Sequence, residues 1–320
     1  MSRIDEASAR LPRRMVRETT HYGGASVNFT RSFGHARLRR KTLLRLATST
    51  TFERATNLVP GARDRAWRSA RRYVAGPATD DAIAVARHLD AAGLGAGIDL
   101  FGERTGPGEA PEVARRYQAL SAELAARTNG RTWLSIDLSH IAFDAGLLDA
   151  IAAAVPPGRR LQVGAEEAAV TDRVLDLVVQ TARRGRPVEA TLQANLRRSP
   201  ADAERLAAEG VSVRLVKGAY AERPDIALPW GPPTDQAYAG LARRLHAAGV
   251  DVALATHDAP LRGALLAEIQ GARTEVLLGI EPAAATRLAA AGHDVRVYVA
   301  YGPDWFRYFM RRRAESQGYR

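Results

Sequence analysis

Near the C-terminus, Tyr308, Arg311, Arg312 and Glu315 stand at i, i+3, i+4 and i+7 within the run Trp305-Phe306-Arg307-Tyr308-Phe309-Met310-Arg311-Arg312-Arg313-Ala314-Glu315-Ser316. On a helix those four side chains share one face. Two adjacent arginines can grip a carboxylate through paired, charge-assisted hydrogen bonds that fix its plane as well as its position. A solvated basic helix is the competing reading, and Arg313 adds weight to it. A second run, Arg214-Leu215-Val216-Lys217-Gly218-Ala219-Tyr220-Ala221-Glu222, combines a glycine for close backbone approach, a lysine for a phosphate and a tyrosine for stacking. Gln193, Thr256 and His257 end other apolar runs, and Tyr298 lies inside one. A loop histidine such as His257 can bind a ligand, the alternative being to meet a carbonyl or cap a helix.

The elements that must position these groups recur along the chain. From Gly97 onward a short apolar run, a turn and an amphipathic stretch alternate, the runs being 97–101, 132–138, 160–164, 188–194, 211–216, 251–256, 274–278 and 294–299. Strands alternating with helices imply parallel pairing, because each crossover needs about a dozen residues. Eight such units predict a (βα)8 TIM-type barrel with N-terminal helices, an open doubly wound sheet being the alternative. Residues 46–90 read as helices leading in, broken at Pro60-Gly61 and Gly76-Pro77, so 46–320 is expected to be a single domain. Barrel sites lie at the C-terminal ends of the strands, where Gln193, Arg214, Lys217, Thr256 and His257 fall. A barrel core is expected to be Val, Ile and Leu, which marks Arg214 as a functional residue.

Composition narrows the setting. The 320 residues carry a net charge of +11, 46% apolar and 25% charged side chains, and no cysteine, which excludes disulfides and thiolate chemistry. No apolar run is long enough to span a membrane, and no signal-peptide pattern opens the sequence, so a cytoplasmic location is expected. Residues 1–45 hold eleven Lys/Arg against three acids, a basic arm of +8. Such an arm could touch anionic lipid at the inner membrane face as a peripheral contact. Only Tyr22, Phe29 and Phe33 are there to stack bases, and nucleic acid is not an expected partner. No Gly-rich GxGxxG turn follows a strand, so a nicotinamide site has no support.

The run Arg214 to Glu222 is similar to the most distinctive motif of the proline dehydrogenase family. Further matches follow in order: Asp99-Leu100-Phe101-Gly102-Glu103, Leu192-Gln193 with Leu196-Arg197-Arg198, and Ala255-Thr256-His257. Val295-Arg296-Val297-Tyr298-Val299, Tyr301-Gly302, Trp305, Tyr308, Arg311-Arg312 and Glu315 complete a resemblance that covers roughly residues 90–320. It implies an FAD-dependent dehydrogenase in which a substrate C–H gives hydride to flavin N5, with an acceptor such as a quinone or oxygen beyond. It places Arg214 beside N5 and Gln193 at the ring edge, with Val216, Lys217, Gly218, Ala219, Tyr220, Thr256, His257 and Glu315 around the rest of FAD. Arg311 and Arg312 would hold the substrate carboxylate and Tyr298 would pack against the substrate, making Arg214 and Tyr298 the catalytic residues. No metal is implied.

Four positions depart from the family pattern. Asp137 stands where the family's second strand carries a lysine near the substrate carboxylate, and Gly164 where its third strand ends in an aspartate. Asn195 replaces an aromatic and Glu275 a glutamine. One reading is a different substrate, a carboxylate-bearing amine other than proline, for instance an amino acid or hydrazine-like compound whose second positive group pairs with Asp137. The other is a catalytically degenerate flavin-binding or membrane-associated paralogue.

Overall fold

The computed structural model describes residues 61–102 and 105–316, the side chains of 62, 311 and 313–316 excepted. Helices α1 (Ala62–Ala70) and α2 (Thr79–Ala91) lead into β1 (Gly95–Leu100), α3 (Ala110–Arg127), β2 (Thr132–Ile136), α4 (Ala145–Ala153), β3 (Leu161–Val163) and α5 (Thr171–Arg183). Then come β4 (Val188–Gln193), α6 (Ser199–Ala208), β5 (Ser212–Val216), α7 (Pro232–Ala247), β6 (Val252–Ala255) and α8 (Ala259–Glu268). The series ends with β7 (Arg273–Leu277), α9 (Pro282–Ala290), β8 (Val295–Tyr301) and α10 (Trp305–Ser316). All neighbouring strands are parallel, and β8 returns to β1 from Gly95↔Arg296 through Leu100↔Tyr301, closing the barrel. That closure excludes the open sheet. The basic arm lies outside the described residues.

Local chemistry sets the boundaries. Proline in the first turn, tolerated because its missing N–H has no helical partner there, opens α3, α6, α7, α8 and α9. The carboxylates of Asp144 and Asp258 accept from Leu147 N and Leu261 N, 2.9 and 3.1 Å away, and cap α4 and α8. Gly185 and Gly210, at φ 74° and 63°, turn the chain out of α5 and α6 in the left-handed region that residues with a Cβ disfavour.

Side chains alternate across a strand, so each strand presents one set outward and one inward. The outward set is apolar. Ile98, Ile136, Leu161, Val163, Val213, Leu215, Val295 and Val299 are fully buried against the helix ring, whose Ile83, Tyr117, Leu120, Leu148, Val178 and Tyr238 meet them. Tyr117 and Tyr238 donate to the carbonyls of Leu100 and Leu215, so their hydroxyls are satisfied within that layer.

The inward set overturns the expectation of a Val/Ile/Leu core. Glu189, Arg273, Glu275, Arg296 and Gln162 face the interior and are at least nine-tenths buried. Arg273 pairs with Glu189 and Asp251, Gln162 donates to Glu189 and Glu275, and the Arg296 guanidinium lies 3.3 Å from the centre of the Trp133 ring. Each charge is thus matched where it is buried. The sequence already showed it, in the alternation of charged and apolar residues along Val188-Glu189-Ala190, Arg273-Thr274-Glu275-Val276 and Val295-Arg296-Val297. A buried arginine in a strand is therefore not by itself a mark of function here.

Helix α10 lies at the mouth. Trp305, Phe306, Phe309 and Met310 pack with Phe101 from β1's end and with Ala70 and Val74 beside α1, and Trp67 meets Trp305 edge-on at 4.9 Å. Val74 bridges to Ala300, and Gly302 N donates to Gly76 O at 2.9 Å, so the link from α1 to α2 runs alongside β8.

Candidate active site

The C-terminal mouth gathers most of the residues singled out above. Tyr298, inward on β8, donates its hydroxyl to Asp99 Oδ2 at 2.5 Å and stacks on Tyr308 of α10 at 6.3 Å. Burial first, then the carboxylates of Asp99 and Asp137, push that hydroxyl well above the ordinary phenol range, so Tyr298 remains a donor. Arg214, inward on β5, lies over the opposite side of the site with its guanidinium carbon 5.4 Å from the Tyr298 ring centre. Its Nε stands 2.7 Å from Glu275 Oε2. Arg312 lies over Tyr308 at 5.1 Å. The spacing on α10 therefore does bring Tyr308 and Arg312 to one face above the barrel, while the side chains of Arg311 and Glu315 lie outside the described residues, as does Glu103.

Asp137 and Gly164 are interlocked. Asp137 follows β2 and precedes a 3-10 turn at Leu138–Ile141, and its side chain crosses to the end of β3. A Cβ built on Gly164 would overlap Asp137 Oδ1 and stand 3.1 Å from Asp137 Cγ. A side chain at 164 would have to push this carboxylate aside. The acid on β2 and the missing side chain on β3 are thus one structural change. Sequence reasoning noted both positions but not their contact, since residues 27 apart touch only once two parallel strands are in register.

Around β5 the structure gives several residues work beyond ligand binding. Gln193 accepts from Ala219 N at 2.8 Å and donates to Glu166 O at 2.9 Å, pinning the loops after β5 and β3. Lys217 lies between Asp235 and Asp258 at 2.5 and 2.7 Å; burial lowers its pKa, but those carboxylates outweigh burial and raise it. An ammonium flanked by two carboxylates has no surplus charge for a phosphate as it stands. Val216 ends β5, Ala219 is exposed beyond it, and Tyr220 donates to Ala165 O at 3.1 Å. Gly218 is close under Asn195, whose amide atoms stand 2.5–2.7 Å from where a Cβ would be.

His257 also holds two strand ends together. Its Nε2 accepts from Leu277 N at 3.2 Å, joining β6's end to β7. Burial, then Arg262, Arg312 and Arg214, depress its pKa to about 4, so it is neutral with the proton on Nδ1. Thr256 accepts from Asp258 N at 3.2 Å within the same turn. His140, which the sequence gave no reason to choose, sits under Gly102 with Nδ1 3.1 Å from Tyr117 Oη, and burial lowers its pKa to about 4.

Polar groups remain for a ligand. Thr191 Oγ1 and Asn195 Oδ1 are buried at the top of β4 with no hydrogen-bond partner among the described residues, and the Arg214 guanidinium makes an ion pair without a hydrogen bond. Unused acceptors and an unused guanidinium fork in one wall suit a flat heteroaromatic ring that carries both N–H and acceptor groups. Among the described residues no group of three His, Asp or Glu could hold a metal ion.

The fold is that of a closed (βα)8 barrel, with the candidate site at the C-terminal ends of its strands. The family model for proline dehydrogenase matches residues 82–319, and the chain belongs to the proline dehydrogenase family, whose members depend on a flavin. It is 32% identical to proline dehydrogenase 1 of Bacillus subtilis over 262 residues, covering 77% of this chain and 86% of that one. To the proline dehydrogenase of Deinococcus radiodurans it is 32% identical over 277 residues, 80% and 88% of the two chains. Proline utilization A of Bdellovibrio bacteriovorus, solved after inactivation by N-propargylglycine, matches 90% of this chain with a TM-score of 0.73 and 18% identity. This chain spans 37% of that larger protein.

Proposed function

We propose that the chain oxidises the C–N bond of a carboxylate-bearing amine at the barrel mouth, with FAD held beside Arg214. FAD, when bound, supplies the hydride acceptor. The observation that carries this reading is Arg214, a half-buried cation on the inner wall that pairs with Glu275 and lies over the Tyr298 ring at the mouth. A guanidinium there would stabilise negative charge that develops on a reduced ring. Thr191 and Asn195 would meet the ring's polar edge. Gln193, Val216, Gly218, Ala219, Tyr220, Thr256 and His257 would shape the rest of the cofactor's bed, and Lys217 would reach a phosphate only by exchanging Asp235 or Asp258. Glu315 would close the bed from α10. Electrons would leave to a quinone or oxygen, and the basic arm would make any membrane contact. Among the described residues no helix is long and apolar enough to cross a membrane.

Charge is divided across the mouth, with Asp99 and Asp137 on the β1–β2 side and Arg214 and Arg312 on the other. Arg312 with Arg311 would take the substrate carboxylate, Tyr298 would pack against its carbon frame, and Asp137 would favour a second positive nitrogen. L-proline, which has no such group, is the poorer substrate on this reading. The test is anaerobic absorbance of the flavin-loaded protein against L-proline and a panel of diamino and hydrazino acids. Faster bleaching by L-proline than by every other amine would end the altered-substrate reading, and a flavin bleached by none would make the chain a binding protein.

A further inference from the structure

Glu275 joins two parts of the barrel interior that would otherwise be electrically separate. Its carboxylate is 2% exposed. One oxygen, Oε2, meets Arg214 Nε at 2.7 Å, at the level of the mouth. The other, Oε1, faces Arg273 Nη1 at 3.5 Å and Arg296 Nε at 3.8 Å, on the floor, and Gln162 Nε2 donates to both oxygens at 3.0 and 3.1 Å. The floor has its own anions. Glu189 and Asp251 both pair with Arg160 and Arg273, which leaves Arg296 as the floor cation without a full counterion except Glu275. One carboxylate is therefore shared between a floor arginine and the arginine at the mouth.

We infer that Glu275 is a positioning residue that holds the Arg214 guanidinium against Tyr298 and, by offsetting part of its charge, sets the electron affinity of the flavin in the site. The inference rests on the reading that Arg214 faces the flavin. Reduction adds two electrons to the ring, and an uncompensated cation beside it favours the reduced form more than a paired one does. Both partners are shielded from water, Arg214's side chain being 12% exposed, so the compensation is weakly screened.

The experiment is the two-electron midpoint potential of the FAD-loaded full chain, with the dissociation constant of the sulfite adduct as a second measure of positive charge at the ring. Glu275→Gln is expected to make the potential more positive by the equivalent of at least tenfold in the equilibrium constant, ~30 mV for a two-electron couple, and to tighten sulfite by a similar factor. Glu275→Asp keeps the charge the floor needs but withdraws it from Arg214, giving a smaller shift of the same sign, and it serves if the glutamine variant does not fold. In an Arg214→Gln background the Glu275→Gln shift should shrink, because the part that comes from holding the guanidinium in place is lost and only the carboxylate's direct field remains. Unchanged potential and sulfite affinity in both Glu275 variants, or a shift undiminished in the Arg214→Gln background, would overturn the inference while leaving the flavin site standing. A wild-type chain that takes up no FAD overturns both.

Discussion

At the scale of single residues, the contact between Asp137 and Gly164 makes the clearest prediction. Gly164→Ala should cost about 1–3 kcal/mol, the usual penalty of forcing extra volume into a packed site, because its Cβ would overlap Asp137 Oδ1. In an Asp137→Ala background most of that cost should disappear, and a double-mutant cycle in urea would measure the coupling. Equal costs in the two backgrounds would show that the carboxylate does not rest on Gly164. The same contact says how to test specificity. Gly164→Asp alone should be damaged, whereas Asp137→Lys with Gly164→Asp removes the overlap and should raise kcat/KM for L-proline above either single change.

At the scale of elements, α10 and the β5 loop were legible to different degrees. The i, i+3, i+4, i+7 spacing placed Tyr308 and Arg312 on one face because helical periodicity is local and needs no tertiary knowledge. Arg312→Ala should lower kcat/KM for the best carboxylate substrate by about 30-fold or more, the loss of one arm of a desolvated pair. An effect under about threefold would make α10 a solvated face. The β5 loop was legible as a motif but not as a mechanism. Nothing in Lys217-Gly218-Ala219-Tyr220 announces that Asp235 and Asp258 hold the lysine, or that Gln193 spends its amide on Ala219 and Glu166, since those partners come from other strand–helix units. The charged floor escaped for a related reason. Glu189, Arg273 and Arg296 are tolerable inside only because they meet one another, and a pairing between β4, β7 and β8 cannot be read from any one strand. Removing one side of it should weaken the barrel: Glu189→Gln leaves Arg273 with Asp251 and Glu275 as its remaining carboxylate partners and is expected to cost about 1–3 kcal/mol in thermal or urea unfolding.

At the scale of the whole molecule, the eight-unit series was visible because outward faces are apolar in every strand, and closure then followed from the count. Two buried histidines give the fold a defined acid response. His140 and His257 have folded pKa values of about 4 against an ordinary 6.5. Between about pH 6.5 and 4 the unfolded chain binds protons that the native one refuses, so stability falls as pH drops through that window and the histidine part levels off below it. Each contributes up to about 3 kcal/mol. His140→Gln, if it folds, should flatten the slope between pH 6.5 and 5, above the range where carboxylates such as Asp258 and Asp251, held below their usual pKa, add their own losses. An unchanged slope in that interval would mean that His140 is protonated in the native state.

The brevity of β3 has a consequence for how this barrel breathes. With three residues it shares three registered pairs with β2 and three with β4, as few as β6 shares with β7, whereas β1 and β8 share six. Closed barrels have no free edge, but they do have a weakest seam, and opening events follow the seam that breaks the fewest bonds. Amide protons of Gln162, Val163 and Gly164 should therefore exchange with deuterium ahead of those of Ile98 and Val299. Gly164 N, which donates to Ile136 O at 2.8 Å, marks where the seam reaches Asp137. If Asp137 and Gly164 do set a new substrate preference, as proposed above, they do so beside a strand with few ladder bonds, where a new side chain disturbs the remaining ring least.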